Sequence, residues 1–116
     1  MNIFMVDKDP VKCAQALDSL RLNKMILETA QLLCTAYRHL WLAADQPPHE
    51  ILYKETHKNH PCAVWARKSS HNYRWLVDYF KALHDEWLYR GHSAHASYTK
   101  LFDTLSAPAY AVAFHS

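Results

Sequence analysis

At 116 residues and 13.5 kDa the chain has room for one domain and no second independent core. Half of its residues are apolar, 21% are charged and 13% are aromatic, so a packed interior is expected and not a disordered chain. Gly91 is the single glycine, which argues against glycine-rich phosphate cradles and tight-hairpin β folds, and a formal charge of +2 is too small by itself to imply nucleic acid.

Residues 1–7, MNIFMVD, read as an extended lead-in that packs Ile3, Phe4 and Val6. Asp9-Pro10 is a helix start, because the carboxylate caps free N–H groups and proline gives up no needed donor at the first helical position. The first helix is expected from about Pro10 to Leu20. From Arg21 to Ala44 there is neither Pro nor Gly and good helix formers dominate, which predicts a long central helix. At roughly 100° per residue, Leu22, Met25, Ile26, Leu32, Leu33, Ala36, Tyr37, Leu40 and Trp41 spread over a wide apolar arc. They leave a narrow polar stripe of Arg21, Lys24, Glu28, Gln31, Thr35 and Arg38 that faces water or a cleft.

Residues 45–61 contain Pro47-Pro48 and His60-Pro61 and read as a loop, with room for one helical turn at Glu50 to Tyr53. Loops of this length are usually functional. Pro61 opens a short helix to Lys68, and Ser69-Ser70 offers a cap for another from about His71 to Arg90, with Leu76, Phe80, Leu83 and Trp87 on its apolar face and Gly91 closing it. A last short helix is expected within 94–105, through Tyr98, Leu101, Phe102 and Leu105, before an apolar, helix-poor tail. The expected architecture is all-α: a compact single domain over residues 1–116, with four or five helices around the central one.

No apolar run approaches the roughly 18 to 20 residues of a membrane span. The start MNIFMVDKDP turns acidic too early for a signal peptide, so a cytoplasmic protein is expected. The odd number of cysteines, Cys13, Cys34 and Cys62, without a CxxC pair, reads as three thiols in a reducing compartment.

The densest polar cluster is YKETHKNHPCAVWARKSSHNYR, residues 53–74. Lys54, Lys58, Arg67, Lys68 and Arg74 face Glu55 alone, a net of +4, interleaved with Tyr53, Trp65 and Tyr73. Cations hold phosphates and rings stack on bases, so the pattern fits nucleic acid; a solvated basic loop is the plainer alternative. His57, His60 and Cys62 have a spacing open to a transition metal, with Cys34 or His39 as a further ligand, but no second paired motif completes the set. Glu28 is either an i,i+4 partner of Lys24 or, lining a cleft, a carboxylate suited to acid or base work. Asn72, Tyr79 and Glu86 recur every seventh residue beside the apolar face of their helix, a polar line that must be satisfied or used.

The segments MNIFMVDKDPVKCAQ, NKMILETAQLLCTAYR, YKETHKNHPCAVWARKSSHNYRWL and ALHDEWLYRGHSAH together resemble a group of short phage proteins related to pyrimidine-dimer DNA glycosylases of the endonuclease V type. The resemblance covers about residues 1–95. It implies an all-α fold and chemistry in which an amine attacks C1′ of a damaged nucleotide, forms a Schiff base and leads to strand cleavage. By this resemblance Glu28 is the catalytic carboxylate, Asn59 and His60 match an Asn-His-Pro element near the site, and Arg21 and Lys24 hold phosphates. A flipped nucleotide would find Trp65 or Tyr73 as stacking candidates.

Two departures accompany it. The family's nucleophile is the α-amine of a small residue exposed by methionine removal, whereas here Asn2 disfavours that removal and leaves the amine of Met1, Lys24 or Lys58. The chain also ends at Ser116 without an aromatic-rich basic segment. The reading that follows is a DNA glycosylase with abasic-site lyase activity on damaged or modified duplex DNA, requiring no cofactor and no membrane, in a host cytoplasm if phage-encoded. Its alternatives are a divalent-metal hydrolase using His57, His60 and a carboxylate such as Asp7, Asp9 or Glu86, and a non-catalytic nucleic-acid-binding module.

Overall fold

The computed structural model describes residues 9–43, 52–54 and 61–106, with residues 40–43 as backbone only. Among them it contains five helices and no strand: α1 (Pro10–Gln15), α2 (Ser19–Ala43), α3 (Pro61–Lys68), α4 (Ser70–Tyr89) and α5 (Ala96–Leu105). The lead-in, the Pro47-Pro48 loop, Leu40 and Trp41 as side chains, and the tail beyond Ser106 lie outside the described residues.

α1 begins as its sequence predicts, with the Asp9 carboxylate accepting from the Val11 N–H at 2.9 Å and Pro10 in the first turn. It is shorter than expected. Asp18 caps the next helix instead of continuing the first, accepting from the Arg21 N–H at 2.8 Å through its side chain and from the Leu22 N–H at 2.8 Å through its carbonyl. The break is held from α4: the Arg90 guanidinium donates to the Leu17 carbonyl at 2.7 Å and the Gln15 carbonyl at 3.4 Å while Glu86 grips its Nε at 2.7 Å. Carbonyls freed at the end of α1 thus find a cation in place of water.

α3 and α4 are separated by Ser69 alone, in extended conformation, whose hydroxyl accepts from the Asn72 N–H at 3.1 Å. The Asn72 side chain then donates back to the Trp65 carbonyl at 2.9 Å, fixing the corner between the two helices. α4 ends in a Schellman turn: His92 N–H bonds to the Trp87 carbonyl at 3.3 Å, Gly91 N–H to that of Leu88 at 3.0 Å, and Gly91 takes φ +92°. The His92 ring stacks on Trp87 at 3.7 Å, supplying the side-chain contact that such turns carry.

One apolar core joins all five helices. Leu22, Met25, Ile26, Leu32 and Leu33 of α2 meet Leu76, Phe80 and Leu83 of α4, with Cys13, Ala63, Leu101 and Leu105 closing the sides. The wide apolar arc expected for α2 is buried as far as its side chains are described. Of the helical turn expected at Glu50 to Tyr53, Glu50 lies outside the described residues, while Leu52 is a buried bend residue and Tyr53 is not helical. No helix among the described residues is long and apolar enough to cross a membrane.

Candidate active site

The polar stripe of α2 changes character along its length. Arg21 and Lys24 are exposed, Glu28 and Gln31 half-buried, and Thr35 fully buried. Its far end is covered because Arg38 turns its guanidinium onto the passing chain, donating from Nε to the Tyr53 carbonyl at 2.7 Å and from Nη2 to the Leu52 carbonyl at 2.9 Å. Tyr53 is held further by its hydroxyl, 2.9 Å from Ser97 Oγ, and by Lys100, whose Nζ lies 5.0 Å from its ring centroid. The bend therefore delivers the exposed Lys54 from a fixed point at the buried end of the stripe.

Glu28 stands where this stripe passes from water into the protein. Lys24 lies one helical turn before it, yet the i,i+4 ion pair is not formed, and Glu28 has neither a hydrogen bond nor an ion pair with any described residue. A half-buried carboxylate without a partner among the described residues is available to a ligand. Arg21 is 3.8 Å from Asp18, with both side chains well exposed, so this ion pair contributes little to stability. Beside these groups Leu20 is 75% and Leu27 42% exposed, so apolar side chains edge the open stretch of the helix. Residue type alone does not single out these two leucines; packing shows that they escape the core.

A second cationic group sits at the corner between α3 and α4. Lys68 and Arg74 are exposed and Arg67 is half-buried, the latter with contacts of its own. His71, Arg74, Asp78, Lys81 and Asp85 form one exposed edge of α4, and its sign reverses along the helix: cationic at the corner, acidic beyond, with Lys81 paired to Asp85 at 2.8 Å. α3 packs on both α2 and α4, so one short helix connects this corner to the helix bearing Glu28.

Trp65 keeps its stacking candidacy. It is half-buried, edge-on to Trp75 with centroids 6.0 Å apart, and Trp75 stacks on Tyr79 at 5.2 Å. Tyr73 does not: it is fully buried, and its hydroxyl donates to the Leu105 carbonyl at 2.9 Å, so it is a core residue joining α4 to α5 and offers no face to a nucleotide. The heptad line of α4 is mostly structural. Asn72 and Glu86 are consumed by the corner and by Arg90, which also removes Glu86 from the carboxylates available to a metal, while the buried Tyr79 hydroxyl has no hydrogen-bond partner among the described residues.

Burial pushes the Cys34 thiol up to about 11, a backbone hydrogen bond from Tyr53 and the Arg38 and Lys100 charges pulling the other way. In the absence of a metal it stays protonated at neutral pH. Cys62 is half-buried; no group of three His, Cys, Asp or Glu side chains among the described residues is arranged to hold a metal. Met1, His57, Lys58, Asn59 and His60 lie outside the described residues, so of the expected catalytic groups the structure brings together Lys24 and Glu28.

No curated protein and no solved structure matches the chain. A family model described as pyrimidine dimer DNA glycosylase matches residues 1–100, a span that includes the lead-in, the α2 stripe with Glu28, the Asn-His-Pro element and the basic corner. On that match over most of its length, the chain belongs to the pyrimidine dimer DNA glycosylase family.

Proposed function

We propose that the protein excises pyrimidine dimers from duplex DNA and cleaves the resulting abasic site through an amine-linked intermediate. The observation that supports this best is Glu28: a half-buried carboxylate, unpaired among the described residues, one turn from an exposed lysine on a helix that the family pattern spans. A primary amine, from Met1, Lys24 or Lys58, attacks C1′ of the damaged nucleotide. The glycosidic bond breaks, and the departing base takes a proton. Ring opening leaves an iminium between the amine nitrogen and C1′, and loss of a C2′ proton expels the 3′ phosphate.

Glu28 serves twice in this scheme. Its negative charge stabilises the cationic sugar, and its oxygen carries the proton that C2′ gives up. Arg21 and Lys24 at the open end of the stripe, Lys54 after the bend, and Arg67, Lys68 and Arg74 at the corner hold phosphates, with Lys58 and Asn59 from the intervening sequence. Trp65 receives a base displaced from the stack. His60, following Asn59, is the remaining candidate for proton transfer.

Glu28→Gln keeps the shape of the side chain and removes its charge. Glycosidic cleavage at the dimer, read as strand scission of an end-labelled duplex under single-turnover conditions, should fall by about two to four orders of magnitude. Helicity and duplex affinity should be retained. A variant that cleaves at the dimer at the wild-type rate would overturn the assignment, and so would one that folds but no longer binds DNA.

A further inference from the structure

The entry to α5 is built on two imidazoles. His84, on the inner face of α4 and only 4% exposed, accepts the backbone N–H of His95 at Nε2, 3.0 Å away. His95 is itself the N-cap of α5, and its Nδ1 accepts the Ser97 N–H at 3.2 Å. A backbone N–H cannot act as acceptor, so each of these ring nitrogens carries no proton. His84 is the tautomer protonated at Nδ1, and His95 the one protonated at Nε2.

The surroundings disfavour charging either ring. The His84 ring lies flat on Tyr98, centroids 3.9 Å apart and 6° from parallel, and Tyr98 continues the stack onto Phe102 at 4.6 Å. Trp87 stands edge-on to His95 at 6.2 Å. On α4 the nearby charges are Asp85, which favours a charged His84 but is exposed and bonded to Lys81, and Lys81 itself. On α5, Asp103 and Lys100 act on Tyr98 and on the Tyr53 ring respectively. From α2, Arg38 is occupied by the Leu52 and Tyr53 carbonyls. The positive end of the α5 dipole also opposes an imidazolium at its cap. Burial is the largest influence on both histidines, holding each below the usual 6.5.

We infer that His84 and His95 form an acid-sensitive latch: charging either ring turns an acceptor into a donor aimed at a backbone N–H, and the first turn of α5 is released. The far end of α5 stays fixed, because Tyr73 holds the Leu105 carbonyl at 2.9 Å. Release is therefore local, and it reaches α2, since Ser97 is the partner of Tyr53 and Tyr53 is the partner of Arg38. The latch goes beyond the repair reading and does not depend on it; its test needs no DNA.

Imidazole nitrogen shifts and amide hydrogen exchange of the full chain, followed by NMR from pH 8 to 4.5, test the latch directly. At pH 8 His84 and His95 should show the two opposite tautomers, and both should titrate below 6.5. Protection of the amides of Ser97 to Leu101 should fall in the same window, by about tenfold for each unit of pKa depression, while the central turns of α2 keep theirs. In the double variant His84→Gln, His95→Asn, both side chains offer an acceptor oxygen that does not titrate, and the acid loss should disappear. The inference is overturned by the reverse tautomers, by titration at or above 6.5, or by α5 amides that ignore the charging of both rings. An acid loss that persists unchanged in the double variant overturns it as well. Should that variant not fold, the wild-type tautomers and exchange profile are sufficient to uphold or overturn the latch.

Discussion

Glu28 and Tyr73 are both polar groups beside apolar helix faces, and packing sends them to opposite fates. Glu28 emerges at a half-open edge without a partner among the described residues, whereas Tyr73 turns inward to a carbonyl 32 residues away in sequence. Tyr73→Phe should leave the Leu105 carbonyl unpaired in the core and cost about 1 to 3 kcal/mol in urea unfolding. Its duplex affinity should match wild type, because the ring never faces solvent. Arg90 is the other residue on which geometry depends: it spans the α1–α2 break with its side chain 21% exposed and Glu86 at 14%. Arg90→Met removes the charge but keeps the stem, and denaturant unfolding should show a loss of about 1.5 to 3 kcal/mol. An unchanged midpoint would mean that water replaces the guanidinium at the Leu17 carbonyl.

At the scale of elements, what is legible in the sequence is whatever a residue does to its immediate neighbours. Asp9-Pro10, Pro61, Ser69 and Gly91 act within one turn, and each begins or ends a helix where its chemistry predicts. Asp18 is not legible, because an aspartate inside a run of helix formers becomes a cap only when something holds the break, and Arg90 arrives from the far end of α4. Residue type also names the stripe of α2 and the basic corner without showing which members stay open: Thr35 and Arg38 are taken up by burial and by the 52–54 bend, Lys24 and Glu28 are left. Gly91→Ala tests the closing turn of α4. Nothing lies within 4 Å of the added Cβ, so the penalty is one of backbone conformation at φ +92°, about 1 to 2 kcal/mol. A thermal shift smaller than that predicts would show that the turn rearranges.

Over the whole molecule two dependences follow, one on salt and one on pH. The cations proposed to hold DNA are spread over α2, the 52–54 bend and the α3–α4 corner, so log K for duplex DNA should fall linearly with log salt. Lys68→Ala and Arg74→Ala should each reduce that slope by about 1, without regard to the lesion. For pH the direction comes from His84 and His95, both depressed below 6.5. Above 6.5 both states are neutral and the caps contribute in full. As pH falls below 6.5 the unfolded chain takes up protons first, and stability declines until the pH has passed the folded-state values. Urea unfolding at pH 7.5 and 5.0 should show this loss, and the double variant that removes both imidazoles should lack it.

The reaction proposed for this chain is covalent, with an amine joined to C1′ of a damaged nucleotide under the charge of Glu28. Borohydride reduction during turnover captures that bond directly. Labelled duplexes carrying a thymine dimer, an abasic site or no lesion should give a stable protein–DNA band with the first two and none with the third. Mapping the band should find Met1, Lys24 or Lys58, and Glu28→Gln should weaken it on the dimer substrate. A folded, DNA-binding protein that yields no band on either damaged duplex would contradict the amine mechanism.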